Sequence, residues 1–124
     1  MQKIFLVEDS PLVLMRLIEL LGALPNARVV GHAASADEAI RGILSSRPDV
    51  VVMDLKLAQG TGFDVLIEVH SQAPGTTFYM LSNFAQGAYR RQAERLGACG
   101  FFDKTTDFER VRDVLAQRAA SLAQ

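Results

Sequence analysis

The sequence predicts a three-layer α/β domain, in which five parallel strands form one sheet and helices cover both faces. Short apolar runs alternate along the chain with longer segments whose apolar residues recur at helical spacing. The strand candidates are apolar on both faces, as expected for strands between two helical layers. With 124 residues, 49% of them hydrophobic and 22% charged, the chain can form one core, so residues 1–124 are predicted to be a single domain.

The first part of the chain contains two strand–helix pairs. Residues 3–7 (KIFLV) are the first predicted strand, and the Ser-Pro pair at 10–11 suits the cap and first position of a helix. Residues 27–33 (ARVVGHA) are the second strand. Ser35 and Glu38 then form the S-x-x-E pattern of a capping box, which predicts the start of the second helix.

Three more strand–helix pairs complete the alternation. The third, fourth and fifth strands are predicted at residues 50–53, 76–81 and 99–102. The segments FDVLIEVH and QGAYRRQAERLG supply the third and fourth helices. A second capping-box pattern, at Thr106 and Glu109, predicts the start of the fifth helix.

Charge and hydropathy exclude some classes of function. A formal net charge of −1 lacks the clustered basic residues that neutralise phosphates, so direct nucleic-acid contact is not expected. Arg90, Arg91 and Arg95 lie in a charge-rich segment that is typical of the solvated face of a helix. The first apolar run is too short for a signal peptide or a membrane span, which predicts a cytoplasmic protein without membrane contact.

Polar side chains occur at the ends of four of the five predicted strands. Glu8 and Asp9 follow the first strand, Asp54 the third, Ser82 the fourth and Lys104 the fifth. The carboxyl ends of parallel strands share one edge of the sheet, where ligands of open α/β folds bind. The sequence therefore predicts a site with three carboxylates, a hydroxyl and an ammonium group.

This set of groups favours metal-assisted chemistry on an anion. Three close carboxylates repel one another and either protonate or hold a cation, and all-oxygen ligands favour Mg²⁺. Ser82 and Lys104 suit contacts to an anion, and Asp54, central in the predicted sheet, is the candidate nucleophile. Helix capping by Asp9 is an alternative for that residue alone, but capping does not account for the whole set.

These residues, in this order, resemble the response-regulator receiver domain of two-component signalling over essentially the whole chain. Gly62, eight residues after Asp54, and Phe101, three residues before Lys104, complete the match. The resemblance implies a doubly wound (βα)5, flavodoxin-like fold with strand order 2-1-3-4-5. Thr105 stands where the family commonly has a proline, and the sequence leaves open whether the peptide before it is cis or trans.

The resemblance also implies the chemistry of the site. Asp54 would accept a phosphoryl group from a histidine kinase or a histidine phosphotransfer domain, with Lys104 and Ser82 as its catalytic partners. Mg²⁺ would be bound by Glu8, Asp9, Asp54 and the backbone carbonyl of Lys56. Such a domain catalyses its own phosphorylation and dephosphorylation and is not a turnover enzyme.

A conformational switch is implied as well. Ser82 would move toward the phosphoryl group and the Phe101 ring into the vacated space. The surface of the fourth helix, fifth strand and fifth helix would change and contact an unknown downstream protein. Lys56 and Phe84 occupy positions that modulate phosphoryl lifetime in this family, and we expect slow autodephosphorylation because neither has a carboxylate or amide to orient water.

The first helix has more apolar residues than one buried face requires. Leu12 and Met15 lie at its start, near the predicted acid cluster, where a kinase or phosphotransfer domain must present its histidine. An exposed apolar patch there would dock that partner. The alternative is that neighbouring elements cover this helix deeply.

Competing functions fit the sequence less well. A haloacid dehalogenase-type hydrolase wants a second aspartate two residues after Asp54, where Lys56 stands. A dinucleotide- or flavin-binding protein would have a phosphate-binding loop in place of the acidic residues after the first strand. The remaining alternatives are a degenerate, non-phosphorylated interaction module and a receiver excised from a longer regulator or hybrid kinase. We expect a stand-alone regulator without an output domain, either monomeric or forming a phosphorylation-dependent dimer.

Overall fold

The computed structural model describes residues 1–84 and 86–122, and for Leu122 only the backbone. Strands and helices alternate strictly along the described chain. The strands are β1 (Gln2–Val7), β2 (Ala27–Ala33), β3 (Val50–Met53), β4 (Thr77–Ser82) and β5 (Gly100–Asp103). The helices are α1 (Pro11–Gly22), α2 (Ala36–Ser46), α3 (Gly62–Val69), α4 (Gly87–Arg95) and α5 (Phe108–Leu122). Ala123 and Gln124, at the end of the predicted domain, lie outside the described residues.

All five strands belong to one parallel sheet in the order β2-β1-β3-β4-β5, which confirms the predicted flavodoxin-like fold. The register aligns Val7 with Met53, Met53 with Met80, and Met80 with Phe101. These four residues form one row across the sheet near its carboxyl edge. The residues that follow them on the four strands are therefore close in space, although they are far apart in the sequence.

Helices cover both faces of the sheet, and each face has its own apolar core. Strand residues alternate between the two cores, as the two-residue period of a strand requires. Helices α1 and α5 contribute Leu17, Leu21, Val111 and Leu115 to the first core. Helices α2, α3 and α4 contribute Ala39, Ile43, Val65, Leu66, Val69 and Ala93 to the second. Strand β3 is central, and its four residues are at most 1% exposed.

Capping accounts for where most helices start. The Ser10 hydroxyl accepts a hydrogen bond from the Val13 amide at 3.3 Å, and the following proline occupies the first helical position, as predicted. Ser35 caps α2 by accepting from the Glu38 amide. Helix α3 begins with a full capping box, which the sequence analysis did not identify.

The capping-box pattern at Thr106 and Glu109 lies at the start of α5, which begins at Phe108. The Asp103 carboxylate accepts hydrogen bonds from the amides of Thr105 and Thr106, which holds these residues in a turn instead of a helix. The Lys104–Thr105 peptide in this turn is trans.

Two strands are displaced by one residue from their predicted bounds. Strand β4 ends with Ser82 instead of before it, and β5 begins at Gly100 instead of at Cys99. The pairing of Tyr79 with Gly100 and of Ser82 with Asp103 decides both limits. Among the helices of the described residues, none is long and apolar enough to cross a membrane.

Candidate functional site

A buried ammonium group bridges two carboxylates at the carboxyl edge of the sheet. Lys104, just after β5, places its Nζ 2.6 Å from Glu8 Oε1 and 2.7 Å from Asp54 Oδ2. Glu8 is 3% exposed and Asp54 is 7% exposed. Three residues that the sequence analysis predicted to converge therefore form one charge-assisted network.

The backbone fixes the orientation of both carboxylates. Glu8 Oε2 accepts from the Ser10 amide at 2.9 Å, and Asp54 Oδ1 accepts from the Leu55 amide at 2.7 Å. Each carboxylate thus has one oxygen on Lys104 and the other on a backbone N–H. Asp54 itself is held in place by its own amide, which donates to the Val7 carbonyl of the neighbouring strand.

Burial and charge act in opposite directions on these groups. Burial raises the pKa of Glu8 above its ordinary value of 4.5, and its hydrogen bonds from Lys104 and the Ser10 amide only partly offset this. Burial alone would lower the pKa of Lys104, but hydrogen bonds to Asp54 and Glu8 outweigh it and raise that pKa above 10.5. The ammonium is therefore charged at neutral pH, and ionisation of Glu8 is less favourable than that of an ordinary glutamate.

The acidic residues fit a hard divalent cation. Glu8, Asp9 and Asp54 each offer a carboxylate oxygen, and these oxygens lie within 4.8 Å of one another. Asp9 is exposed, so the cluster faces solvent on one side. One ammonium cannot neutralise three carboxylates, and an all-oxygen ligand set suits Mg²⁺. The fourth predicted ligand, the Lys56 carbonyl, stays a prediction; Lys56 pairs with Thr61 in a short antiparallel bridge.

Ser82 is fully buried at the end of β4, beside the charged groups. Its Oγ accepts a hydrogen bond from the Phe84 amide at 3.1 Å. A serine hydroxyl that accepts through a lone pair still has its own hydrogen to donate. The Ser82 backbone carbonyl accepts a hydrogen bond from the Lys104 amide at 3.2 Å, so the backbone also links β4 to the lysine.

Gly62, the first residue of α3, packs closely against the backbone of Asp54, the candidate nucleophile. A Cβ atom at this position would be 2.6 Å from the Asp54 carbonyl oxygen and 2.7 Å from Met80 Cε. The Gly62 amide donates to the Leu55 carbonyl at 2.7 Å. This glycine is therefore needed for close packing of α3 against the loop that carries Asp54.

The predicted switch residue Phe101 is half-buried in β5 and packs against the second core, to which α2, α3 and α4 contribute. Arg90 of α4 lies over its ring, with Cζ 5.1 Å from the ring centroid. An Arg90 Nη atom also donates to the Phe101 carbonyl at 2.9 Å. The sequence pattern is typical of a solvated helix face at Arg90, because no local pattern links this residue to a strand residue 11 positions later.

Leu12 and Met15 are 69% and 60% exposed on α1, so the alternative that neighbouring elements cover them is wrong. Ile18, on the same side of the helix, is also exposed. A cavity of about 710 Å³ lies between α1 and the β5–α5 loop, and its lining includes Arg16 and Lys104 but none of these three apolar residues. Along the chain, this apolar stripe begins two residues after Ser10, whose amide donates to Glu8 of the charged site.

Comparison with known sequences identifies a family. The family described as response regulator receiver domain matches residues 4–116. The chain is 36% identical to the DNA-binding transcriptional activator DevR/DosR of Mycobacterium tuberculosis, over 84% of this chain and 48% of that protein. It is 32% identical to protein-glutamate methylesterase/protein-glutamine glutaminase 1 of Carboxydothermus hydrogenoformans, over 94% of this chain and 34% of that protein. The chain thus spans about half, or less, of these relatives.

Solved structures agree with this assignment. A LuxR-family two-component response regulator from Aurantimonas sp. superposes with a TM-score of 0.87 at 28% identity, covering 96% of this chain and 85% of that one. The response regulator domain of Thermotoga maritima CheB gives a TM-score of 0.84 at 25% identity, covering 97% and 94%. The five-stranded architecture is therefore that of known receiver domains.

Proposed function

Because this chain belongs to the response regulator receiver domain family, we propose that it is a phosphorylation-activated switch and that Asp54 is its phosphoacceptor. One observation carries the proposal. The Asp54 carboxylate is held between Lys104 Nζ, at 2.7 Å, and the Leu55 amide, beside two further acids. A nucleophilic carboxylate next to a fixed cation and a cluster of acidic ligands is the arrangement that phosphoryl transfer requires.

In the proposed reaction, an Asp54 carboxylate oxygen attacks the phosphorus atom of a phosphohistidine. The new O–P bond forms as the P–N bond breaks, and the electron pair of that bond passes to the imidazole of the donor. Lys104 then pairs with the new phosphoryl oxygens, and Ser82 donates its free hydroxyl hydrogen to one of them. Mg²⁺, bound by Glu8, Asp9 and Asp54 with the Lys56 carbonyl, would supply neutralising charge for the phosphoryl oxygens.

The proposed output follows from the position of Ser82 and Phe101 on neighbouring strands. When Ser82 turns toward the phosphoryl group, the Phe101 ring moves toward the space beside it. The surface formed by α4, β5 and α5 changes with the ring and contacts a downstream protein. The support for this step is that Phe101 is half-buried and packs under α4, so its ring cannot move without affecting that helix.

Lys56 and Phe84 are proposed to give the phosphorylated form a long lifetime. Both residues flank the site: Lys56 is exposed two residues after Asp54, and Phe84 is 38% exposed two residues after Ser82. Neither side chain has a carboxylate or amide oxygen to accept a hydrogen bond from an attacking water. Hydrolysis of the aspartyl phosphate would therefore depend on water without a positioned base.

The donor is proposed to dock on the exposed apolar stripe of α1. Leu12 and Met15 lie within the first turns after Ser10, whose amide binds Glu8. An apolar patch beside a charged site can bind a histidine kinase or phosphotransfer domain and bring its histidine to Asp54. The proposed chemistry of the chain is limited to its own phosphorylation and dephosphorylation.

The test is intact mass after incubation with Mg²⁺ and acetyl phosphate. We expect the native chain to gain one phosphoryl group, and this gain to be lost in Asp54→Ala and after chelation of the metal. Asp37→Ala, which removes an exposed acid of α2, is the matched control and should gain the group as the native chain does. An unmodified native chain, with acetyl phosphate and with the analogue beryllofluoride, would instead support a non-phosphorylated interaction module.

A further inference from the structure

We propose that Arg90 is a positioning residue that clamps α4 to Phe101 and thereby holds the domain in its resting conformation. This inference rests on the proposed function, because the resting and switched conformations are those of a phosphorylation switch. It goes beyond that function by assigning the resting equilibrium to one side chain of α4. The sequence pattern alone placed this side chain in solvent.

Two contacts of Arg90 are made to the same residue, Phe101. Its guanidinium carbon lies 5.1 Å from the centre of the Phe101 ring, within the range of a cation–π interaction. An Nη atom of the same group donates to the Phe101 carbonyl oxygen at 2.9 Å. The planar guanidinium can make both contacts at once, whereas an ammonium group offers no such fork.

Helix α4 has little other attachment to the sheet. Ala93 is its only buried residue among those described, whereas α3 buries Gly62, Val65, Leu66 and Val69. Its N-cap, Gln86, makes no side-chain capping bond. Tyr89 of α4 adds ring contacts with Phe63 of α3 and with Phe84 in the loop before α4, neither of which lies in the sheet. A helix with so few buried apolar contacts opens at low free-energy cost, so the contacts of Arg90 with β5 contribute to holding α4 against the sheet.

The two contacts respond differently to movement of the ring. The bond to the Phe101 carbonyl depends on the backbone of β5, which is paired with β4 and can stay in place. The contact with the ring exists only while the ring lies under the guanidinium. If the ring moves toward Ser82, this contact is lost, so Arg90 stabilises the resting conformation more than the switched one. A group with different interaction energies in two states shifts the equilibrium between them.

The test is the affinity of the full chain for beryllofluoride in the presence of Mg²⁺. Removing the guanidinium by Arg90→Met should make the switched conformation easier to reach and tighten beryllofluoride binding about two- to fivefold, the factor expected for a partly exposed cation–π contact. The free energy of unfolding should fall in the same variant. A purely structural role would lower stability without tightening the binding of the anion.

Two matched variants sharpen the result. Arg95→Met removes the same charge from the same helix, but Arg95 is exposed and donates a hydrogen bond to Gln92 of α4 itself, so the affinity of this variant for beryllofluoride should equal that of the native chain. Arg90→Lys keeps the charge but loses the fork, and its affinity should lie between those of the native chain and Arg90→Met. Equal or weaker binding in Arg90→Met, or equal tightening in Arg95→Met, would overturn the proposal.

Hydrogen exchange separates this inference from the proposed function. If the native chain binds no beryllofluoride, the proposed function fails, and the clamp is then judged by amide exchange in α4. Faster exchange in Arg90→Met than in Arg95→Met would support the clamp. Equal exchange in the two variants would overturn it.

Discussion

Lys104 Nζ lies 2.7 Å from Asp54 Oδ2, although the two residues are 50 positions apart in the sequence. The same ammonium group lies 2.6 Å from Glu8 Oε1. The resting site therefore carries its own counter-charge, which holds β1, β3 and the β5–α5 loop together. A phosphoryl group on Asp54 would offer Lys104 a new anionic partner in the same place, so the network is both a structural tie and a component of the proposed chemistry.

Lys104→Met should weaken the fold in the absence of metal. It leaves two buried carboxylates without their cation, and breaking a buried pair in this way costs about 3 kcal/mol of unfolding free energy. Mg²⁺ should then stabilise the variant more than the native chain, because more negative charge is uncompensated. Urea unfolding with EDTA and with Mg²⁺ measures both effects.

Lys3→Met is the control for this change, since it removes a lysine outside the acidic site whose Nζ donates to the Ser46 carbonyl at 3.1 Å. Its loss should cost about 1 kcal/mol and leave the effect of Mg²⁺ unchanged.

Because the pKa of Lys104 is raised above 10.5, the stabilisation that Lys104 contributes is fully present below that pH and is lost as the pH rises through the folded-state pKa. A native-like unfolding free energy for Lys104→Met would contradict the bridging role.

Glu8 should make the metal-free domain less stable as the pH rises from acid toward neutral. Burial raises its folded-state pKa above 4.5, so between the ordinary pKa and the raised one the folded chain binds more protons than the unfolded chain. The unfolding free energy therefore falls with increasing pH across this window. In Glu8→Gln, which keeps an oxygen for the Ser10 amide, this component should disappear and metal-free stability at pH 7 should rise.

The measurement is a series of urea titrations in EDTA across this pH range, on the native chain and Glu8→Gln. The same substitution should reduce the stabilisation by Mg²⁺, because it removes one anionic ligand. Parallel profiles of unfolding free energy against pH for the two proteins would show that burial does not raise the folded-state pKa of Glu8.

Gly62→Ala should destabilise the fold and disturb the position of Asp54. The added methyl group would be 2.6 Å from the Asp54 carbonyl oxygen, which is backbone and cannot move aside easily. Overpacking of this kind costs about 1–3 kcal/mol. Gly22→Ala, at the end of α1 with no atom within 4 Å of the added Cβ, should be neutral or stabilising. Thermal unfolding compares them, and equal melting temperatures would contradict the packing argument.

The phosphorylated chain should lose its phosphoryl group slowly, with a half-life of minutes or longer. Lys56→Asn supplies an amide that can orient water and should shorten the half-life at least about tenfold. Lys56→Met, which removes the charge without adding an amide, is the control. The time course of phosphate release from purified protein measures all three, and a half-life of seconds for the native chain would refute slow hydrolysis.

Substitution of the α1 stripe should slow transfer from a protein donor and spare transfer from a small one. Leu12→Ser and Met15→Ser should reduce the rate from a phosphorylated histidine phosphotransfer domain that phosphorylates the native chain, because each change removes apolar surface that docking would bury. Their rates with acetyl phosphate should stay native. Ile67→Ser, which alters a side chain 63% exposed on α3, is the control. Unchanged transfer from the protein donor in both α1 variants would exclude this stripe as the docking site.

The sequence by itself determined the alternation of strands and helices along the chain and the chemical groups at the carboxyl edge of the sheet. The bounds of β2 and β3 agree with the predicted 27–33 and 50–53. For β3 the reason is that a buried parallel strand is a continuous apolar run, here between Asp49 and Asp54, whereas β2 is an edge strand with Arg28 and His32 exposed. The convergence of Glu8, Asp54 and Lys104 also followed from the sequence, because parallel strands end at one edge.

Only the tertiary structure decided which of these groups touch and how helices α4 and α5 are held. The bridge from Lys104 to both acids, the start of α5 after the Asp103 turn, and the contacts of Arg90 with Phe101 each join residues on different elements or in a turn. Such contacts have no hydrophobic period and no local motif. They depend on the register of the sheet and the placement of helices on it, which are set by packing of the whole core.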